Sequence, residues 1–162
     1  MDEDDEVIGK ASREECHNKG LIHRSVMFFV FDEESRVLVT KRTKTKDFFP
    51  EYWSIVLGGH VSADESYEKA AKREVEEELG LKLAPFFIAF FKKRIPEEKE
   101  NVRVYGVVTN EEPILNKEEL EEGEFYGLDE LKGFLKKHDF LPETRILMPI
   151  LMEYLSSQSN GN

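Results

Sequence analysis

The stretch GGHVSADESYEKAAKREVEEELGL, residues 58–81, decides the fold. Apolar residues recur within it at every fourth position, which predicts an amphipathic helix with one buried face. The apolar stripe consists of Tyr67, Ala71, Val75 and Leu79. We expect the helix to start near the capping residues Ser62 and Asp64 and to end at Gly80, since glycine commonly terminates helices.

Three glutamates share one face of this predicted helix, because Glu74, Glu77 and Glu78 are spaced i, i+3 and i+4. Like charges at this spacing repel unless a cation neutralises them, and carboxylate oxygens suit Mg²⁺ or Mn²⁺. Taken alone, such an acidic run is more often a solvated surface. The glycine pair before the helix, Arg73 among the acids and Gly80 after them favour a metal site instead.

The same stretch matches the Nudix box, G-x5-E-x7-R-E-U-x-E-E-x-G-U, where U is a bulky aliphatic residue. Every fixed position over residues 59–81 is filled. The matching residues are Gly59, Glu65, Arg73, Glu74, Val75, Glu77, Glu78, Gly80 and Leu81. The chain thus resembles Nudix hydrolases, which implies an α/β fold: the Nudix α/β/α sandwich with a mixed central sheet.

The resemblance also implies the roles of the box residues. Three glutamates and one backbone carbonyl would bind Mg²⁺ or Mn²⁺: Glu74, Glu77, Glu78 and Gly58. Three neighbours would support these ligands: Glu65, Arg73 and Gly59. Glu74 or Glu77 would accept the proton of the attacking water. The implied reaction is metal-dependent hydrolysis of a diphosphate linkage in a nucleoside diphosphate derivative or a related organic diphosphate.

Residues preceding the helix are candidates for substrate binding. A basic run at residues 41–46 can attract a polyanion, although a solvated strand end explains such a run as well. Aromatic residues at positions 48, 49, 52 and 53 can stack on a base or anchor the core. Four substrate-binding candidates follow from this region and the box: Arg42, Lys46, Trp53 and His60.

The flanking sequence predicts one domain over residues 23–157, between an acidic N-terminal arm or edge element at 1–22 and a disordered tail at 158–162. IHRSVMFFVF and RVLVTKR indicate a hairpin, and WSIVL indicates a short strand that ends at the glycine pair. APFFIAFFKKRI and NVRVYGVVT predict strands separated by a charged loop, PEEKE, and GEFYGL predicts another. DELKGFLKKH and PETRILMPILMEYLSS predict helices, the second ended or kinked by Pro149.

Composition restricts the partners and the compartment. The 162 residues carry a formal net charge of −11, which opposes binding to nucleic acid polymers and anionic membranes. Cys16 is the only cysteine, so no intrachain disulfide can form, and no signal peptide or long apolar span is recognisable. These features favour the cytoplasm. The resemblance implies a small-molecule diphosphate as partner and implies that a homodimer can form.

Two other functions stay open. The segments DEDDEVIGKASREECHNKGLIHRS and KRTKTKDFFPEYWS resemble isopentenyl-diphosphate isomerases, which bind a metal through histidines and glutamates. The similarly placed histidines are His17, His23 and His60, although exposed or hydrogen-bonded imidazoles explain them as well. Gly58 stands where the isomerases have cysteine, and no acidic pair is visible in NVRVYGVV, where Asn101 and Arg103 occur. These departures favour hydrolysis, and the intact box disfavours a non-catalytic Nudix-fold binding module.

Overall fold

The computed structural model describes residues 21–46, 49–96 and 98–160. The strands are β1 (His23–Phe31), β2 (Val37–Arg42), β3 (Trp53–Ser54), β4 (Leu57–His60), β5 (Phe86–Ile95), β6 (Glu98–Val108) and β7 (Leu120–Tyr126). The helices are α1 (Tyr67–Leu79), α2 (Leu128–Leu135) and α3 (Thr144–Asn160). Most of the predicted N-terminal arm, with Cys16 and His17, lies outside the described residues.

The strands form one mixed sheet in the order β3-β2-β1-β6-β5, with β4 also paired to β1 and β7 also paired to β2. The pairing of β1 with β6 is parallel, whereas the other pairings are antiparallel. This arrangement of a mixed sheet with helices confirms the predicted α/β fold.

The predicted hairpin of β1 and β2 forms, but the two strands pair only beside its turn, at Phe31 and Val37. Farther from the turn β1 pairs with β4 through Ser25–Phe28, and β2 pairs with β3 and β7 instead. The hairpin therefore opens, and residues of β3 and β4 enter the gap between its strands.

Each face of the sheet carries its own apolar core because side chains along β1 alternate between the faces. Val26, Phe28 and Val30 belong to a cluster that includes the apolar stripe of α1. Met27 and Phe29 belong to a second cluster, which includes apolar residues of α2 and α3. Full burial of each large side chain contributes about 1.5–3 kcal/mol, so both helix layers are held to the sheet mainly by hydrophobic packing.

Helix α1 begins later than the sequence predicted. Its N-cap is Ser66, whose hydroxyl accepts a hydrogen bond from the backbone N–H of Lys69 at 3.1 Å, so the expected start near Ser62 and Asp64 is wrong. Its predicted end is confirmed, since Gly80 adopts a φ of 67° and donates its backbone N–H to the carbonyl of Glu76. The left-handed backbone at this position favours glycine.

The glycine pair lies inside β4, and the prediction that it ends a strand is wrong. A Cβ atom on Gly58 would clash with the backbone carbonyl of Val26, and one on Gly59 would clash with the carboxylate of Glu74. The absence of side chains therefore lets β4 approach β1 closely and lets the acidic face of α1 lie directly against β4.

The C-terminal half differs from the prediction in two places. Strand β6 already begins at Glu98, opposite Ile95 of β5, so most of the predicted loop PEEKE is strand. Helix α3 contains Pro149 and continues to Asn160, into the predicted tail. Proline removes one backbone donor near the helix start, and burial of Leu147 and Leu151 offsets that loss. No helix in the described ranges is long and apolar enough to span a membrane.

Candidate functional site

A cavity of about 530 Å³ lies where the β1–β2 hairpin opens. Its volume falls within the usual range for small-molecule sites, roughly 300–1,000 Å³. Box residues from β4 and α1, together with the preceding Gly58, form one part of its wall. The box residues are Gly59, His60, Arg73, Glu74, Glu77 and Glu78. Three of the four substrate-binding candidates line the cavity: Arg42, Lys46 and His60.

The three box glutamates line this cavity, and two of them lie in an environment that disfavours negative charge. Glu74 is buried, and burial raises the pKa of its carboxyl group. Burial also raises the pKa of Glu78 to about 7, with further contributions from the charges of Glu119 and Glu74. The side chain of Glu77 is 58% exposed. Carboxylates that line one cavity and have raised pKa values fit a divalent cation, whose charge would stabilise their ionised forms.

Arg73 holds this acidic face in place. Its guanidinium donates two hydrogen bonds of 2.9 Å to Glu65 and one of 2.7 Å to Glu74. A further bond of 3.0 Å reaches the backbone carbonyl of His60, which joins α1 to β4. The hydrogen bonds from Arg73 lower the pKa of Glu65 to about 2, against the opposing effect of burial. Arg73 therefore orients Glu74 by charge-assisted bonds.

Glu119 is an acidic residue of the site that sequence reasoning missed. It precedes β7, lines the cavity, and raises the pKa of both Glu74 and Glu78 through its charge. Its carboxylate lies 3.5 Å from the ammonium group of Lys46. In the sequence Glu119 belongs to the acidic run KEELEE, where nothing distinguishes it from its neighbours. Only the pairing of β7 with β2 brings it to the box.

A second ionisable cluster joins β1, β4 and β6. The Nε2 atoms of His23 and His60 each lie 3.2 Å from one carboxylate oxygen of Glu100, and Ser25 donates to the other oxygen at 2.9 Å. One ligand atom from each of the histidines and Glu100 lies within 4.8 Å of the others, so this set could also hold a metal ion. Burial opposes ionisation of Glu100, but the histidine hydrogen bonds keep its pKa well below the usual range.

This cluster corrects one sequence-based expectation. An acidic pair is present on the later strand, because Glu98 and Glu100 both belong to β6. The pair was missed because the sequence predicted a loop there, and alternation along the strand places both side chains on one face. His17, the third histidine considered, lies outside the described residues.

Trp53 is not brought to the cavity with the other candidates. Its ring packs in the core, edge to face with the ring of Phe134, and the two ring centroids lie 4.7 Å apart. It borders a separate depression with Lys41 and His138, on another part of the surface. Phe49, which the sequence analysis considered for stacking, does line the cavity, and Phe48 lies outside the described residues.

Comparison with known proteins finds similar sequences and a similar fold. The chain is 37% identical over 154 residues to an uncharacterized Nudix hydrolase of Streptomyces coelicolor, covering 88% of this chain and 81% of that relative. Several other curated relatives are longer, and the chain spans less than two thirds of their length. A crystal structure of the protein DR0079 from Deinococcus radiodurans shares the fold, with a TM-score of 0.77, 24% identity, and coverage of 91% of this chain and 93% of that one.

A more distant relative bears on the second cluster. The chain is 29% identical over 136 residues to an isopentenyl-diphosphate Delta-isomerase of Pectobacterium atrosepticum, covering 81% of this chain and 76% of that enzyme.

The sequence profile of the NUDIX domain matches residues 21–148, which include the box, both ionisable clusters and the whole sheet. The chain belongs to the Nudix family.

Proposed function

We propose that this chain is a metal-dependent hydrolase that cleaves a diphosphate linkage in a nucleoside diphosphate derivative or a related organic diphosphate. The main supporting observation is that Glu74, Glu77 and Glu78 all line one cavity. Burial there raises the pKa of Glu74 and of Glu78. Mg²⁺ or Mn²⁺ fits this oxygen-rich site. A small-molecule substrate fits the cavity, and a homodimer stays a prediction.

Under this proposal the three glutamates and the carbonyl of Gly58 hold the metal. When bound, the metal polarises the phosphoryl oxygens and lowers the pKa of a water molecule. Arg42 and Lys46 line the same cavity, where their charges would attract the phosphate groups.

Glu77 is the better candidate for the general base. Its carboxylate is largely exposed and lies 3.5 Å from Arg73, whereas Glu74 accepts a short bond of 2.7 Å from the same guanidinium. That hydrogen bond occupies one oxygen of Glu74, and the buried carboxylate is less open to an attacking water molecule than the exposed carboxylate of Glu77 is. The water oxygen would attack phosphorus as its proton passes to Glu77, and the bond from phosphorus to the leaving phosphate oxygen would break.

A screen for product release tests this function. Purified full-length protein is incubated with nucleoside diphosphates, nucleotide sugars, dinucleotides and prenyl diphosphates, with Mg²⁺ or Mn²⁺, and products are separated by chromatography. We expect hydrolysis of at least one class by the wild type and a large loss in Glu78→Gln. Glu76→Gln is the matched control, because Glu76 is exposed on the same helix and does not line the cavity. Absence of hydrolysis across the panel would refute the proposal.

Isomerisation of isopentenyl diphosphate is a second candidate, favoured by the His23, His60 and Glu100 cluster. Position 58 weighs against it, because glycine has no titratable group and a Cβ there would clash with the carbonyl of Val26. A cysteine side chain would need β1 or β4 to move. Incubating each isomer with enzyme and Mg²⁺ or Mn²⁺ decides between the two functions: isomer exchange without phosphate release would favour the isomerase.

A further inference from the structure

Another part of the cavity wall contains a buried ion-pair network separate from the box. Lys93 of β5 and Glu143, which directly precedes α3, are each 8% exposed, and both line the cavity. The ammonium group of Lys93 lies 2.6 Å from a carboxylate oxygen of Glu98 and 3.6 Å from one of Glu143. Lys93 therefore donates a hydrogen bond to Glu98, and Glu143 lies beside the same ammonium group beyond hydrogen-bond distance.

Glu143 retains acceptor capacity that the described part of the chain does not use. A carboxylate offers about four acceptor positions, and a separation of 3.6 Å is too long for a hydrogen bond. No described residue donates a hydrogen bond to this carboxylate. Because a buried charge is unfavourable without hydrogen bonds, donors from water or from a ligand are needed in the cavity.

A polar group without a hydrogen-bond partner among the described residues lines the same cavity from β2. Thr40 is 2% exposed and lines the cavity, and its hydroxyl oxygen has no hydrogen-bond partner among the described residues. The cavity thus presents a buried acceptor at Glu143 and a buried hydroxyl at Thr40. Neither group would be satisfied by a hydrocarbon, and both suit a ligand that carries hydroxyl or amino groups.

We propose that Glu143 is a specificity-determining residue that accepts hydrogen bonds from hydroxyl or amino groups at the non-phosphate end of the substrate. Diphosphates with a polar end, such as nucleoside diphosphates and nucleotide sugars, are then substrates, and prenyl diphosphates are rejected. Rejection follows because a hydrocarbon end displaces water from Glu143 without replacing its hydrogen bonds. This inference rests on the proposed hydrolase function and adds the chemistry of the substrate's other end.

The test compares two substrate classes at the same metal concentration. UDP-glucose, ADP-ribose and CDP represent polar ends, and dimethylallyl and geranyl diphosphates represent hydrocarbon ends. Glu143→Gln removes the charge at nearly constant shape. Because the amide has no charge and replaces one acceptor oxygen with a donor NH₂ group, we expect KM for the best polar substrate to rise about tenfold to a hundredfold, with kcat nearly unchanged. Glu153→Gln, on the exposed side of the same helix, should change neither constant.

A purely structural role of Glu143 would give a different pattern. If Glu143 only anchored α3, its replacement would raise KM for both substrate classes alike or lower kcat. If Glu143 determines specificity, its replacement lowers only the preference for substrates with polar ends. Should Glu143→Gln fail to fold, Glu143→Asp keeps a negative charge facing Lys93 and shortens the side chain by one methylene, and the same selective rise in KM is expected.

The possible failures are distinguishable. Wild-type hydrolysis of both classes with comparable kcat/KM, or a variant KM equal to that of wild type, would overturn the specificity role and leave the hydrolase function standing. Hydrolysis of neither class would overturn the hydrolase function and this inference together.

Discussion

Replacing Glu78 with glutamine should stabilise the metal-free protein at alkaline pH while impairing metal binding. Burial and the nearby acids raise the pKa of Glu78 from 4.5 to about 7. Since the folded state binds this proton more tightly than the unfolded state, the free energy of unfolding falls as pH rises from about 4.5 to 7. A shift of roughly 2.5 pKa units corresponds to about 3 kcal/mol at pH 8, and glutamine avoids this cost.

Thermal unfolding in EDTA measures this effect. At pH 8 we expect Glu78→Gln to melt roughly 5–10 °C above wild type, and at pH 4.5 the difference should vanish. Excess Mg²⁺ at pH 8 should raise the melting temperature of wild type through binding to the folded state, and that of the variant far less. Glu76→Gln is the control and should follow wild type. A variant that melts at or below the wild-type temperature at pH 8 would refute the reasoning.

Four further outcomes are expected. Excess EDTA should abolish hydrolysis and added Mg²⁺ or Mn²⁺ should restore it, so undiminished cleavage in EDTA would exclude a metal requirement. Glu77→Gln should lower kcat far more than Glu76→Gln, whereas equal losses would indicate a merely acidic surface. Gly59→Ala should displace the carboxylate of Glu74 and lower metal affinity measured by titration calorimetry; wild-type affinity would contradict the close packing. Isopentenyl and dimethylallyl diphosphates should not interconvert, and chromatography would detect any exchange.

The box was predictable from sequence because its geometry is local. Helical spacing alone places Glu74, Glu77 and Glu78 on one face, and the matching motif identifies Arg73 and Glu65 as their neighbours. The mixed sheet was also expected, because the apolar strand patterns and the motif agree on one fold. Errors at helix α1 concerned its first residues, where several serine and aspartate residues compete as caps.

The rest of the site depends on contacts between distant segments. Glu119 lies in a charged stretch whose composition predicts only solvent exposure, and the pairing of β7 with β2 brings it to the cavity. Glu143 belongs to a segment predicted as helix, and it reaches the cavity from the residue before α3. Glu98 and Glu100 were assigned to a loop because four of the five residues in PEEKE are charged. Pairing with β5 and the partners of Glu100 override that local preference. Local patterns carry no information about such partners.

The box glutamates and Glu100 of the second cluster differ in how their negative charges are balanced, and this difference favours the box as the first cation site. Glu100 is satisfied by His23, His60 and Ser25, and its pKa is lowered despite burial. Glu78 has no comparable hydrogen-bond partners among the described residues, and its pKa is raised. A divalent cation therefore relieves more repulsion at the box than at Glu100, where it must also displace existing hydrogen bonds. Phosphate groups follow the cation, so the diphosphate should bind beside α1, where a water molecule can attack phosphorus.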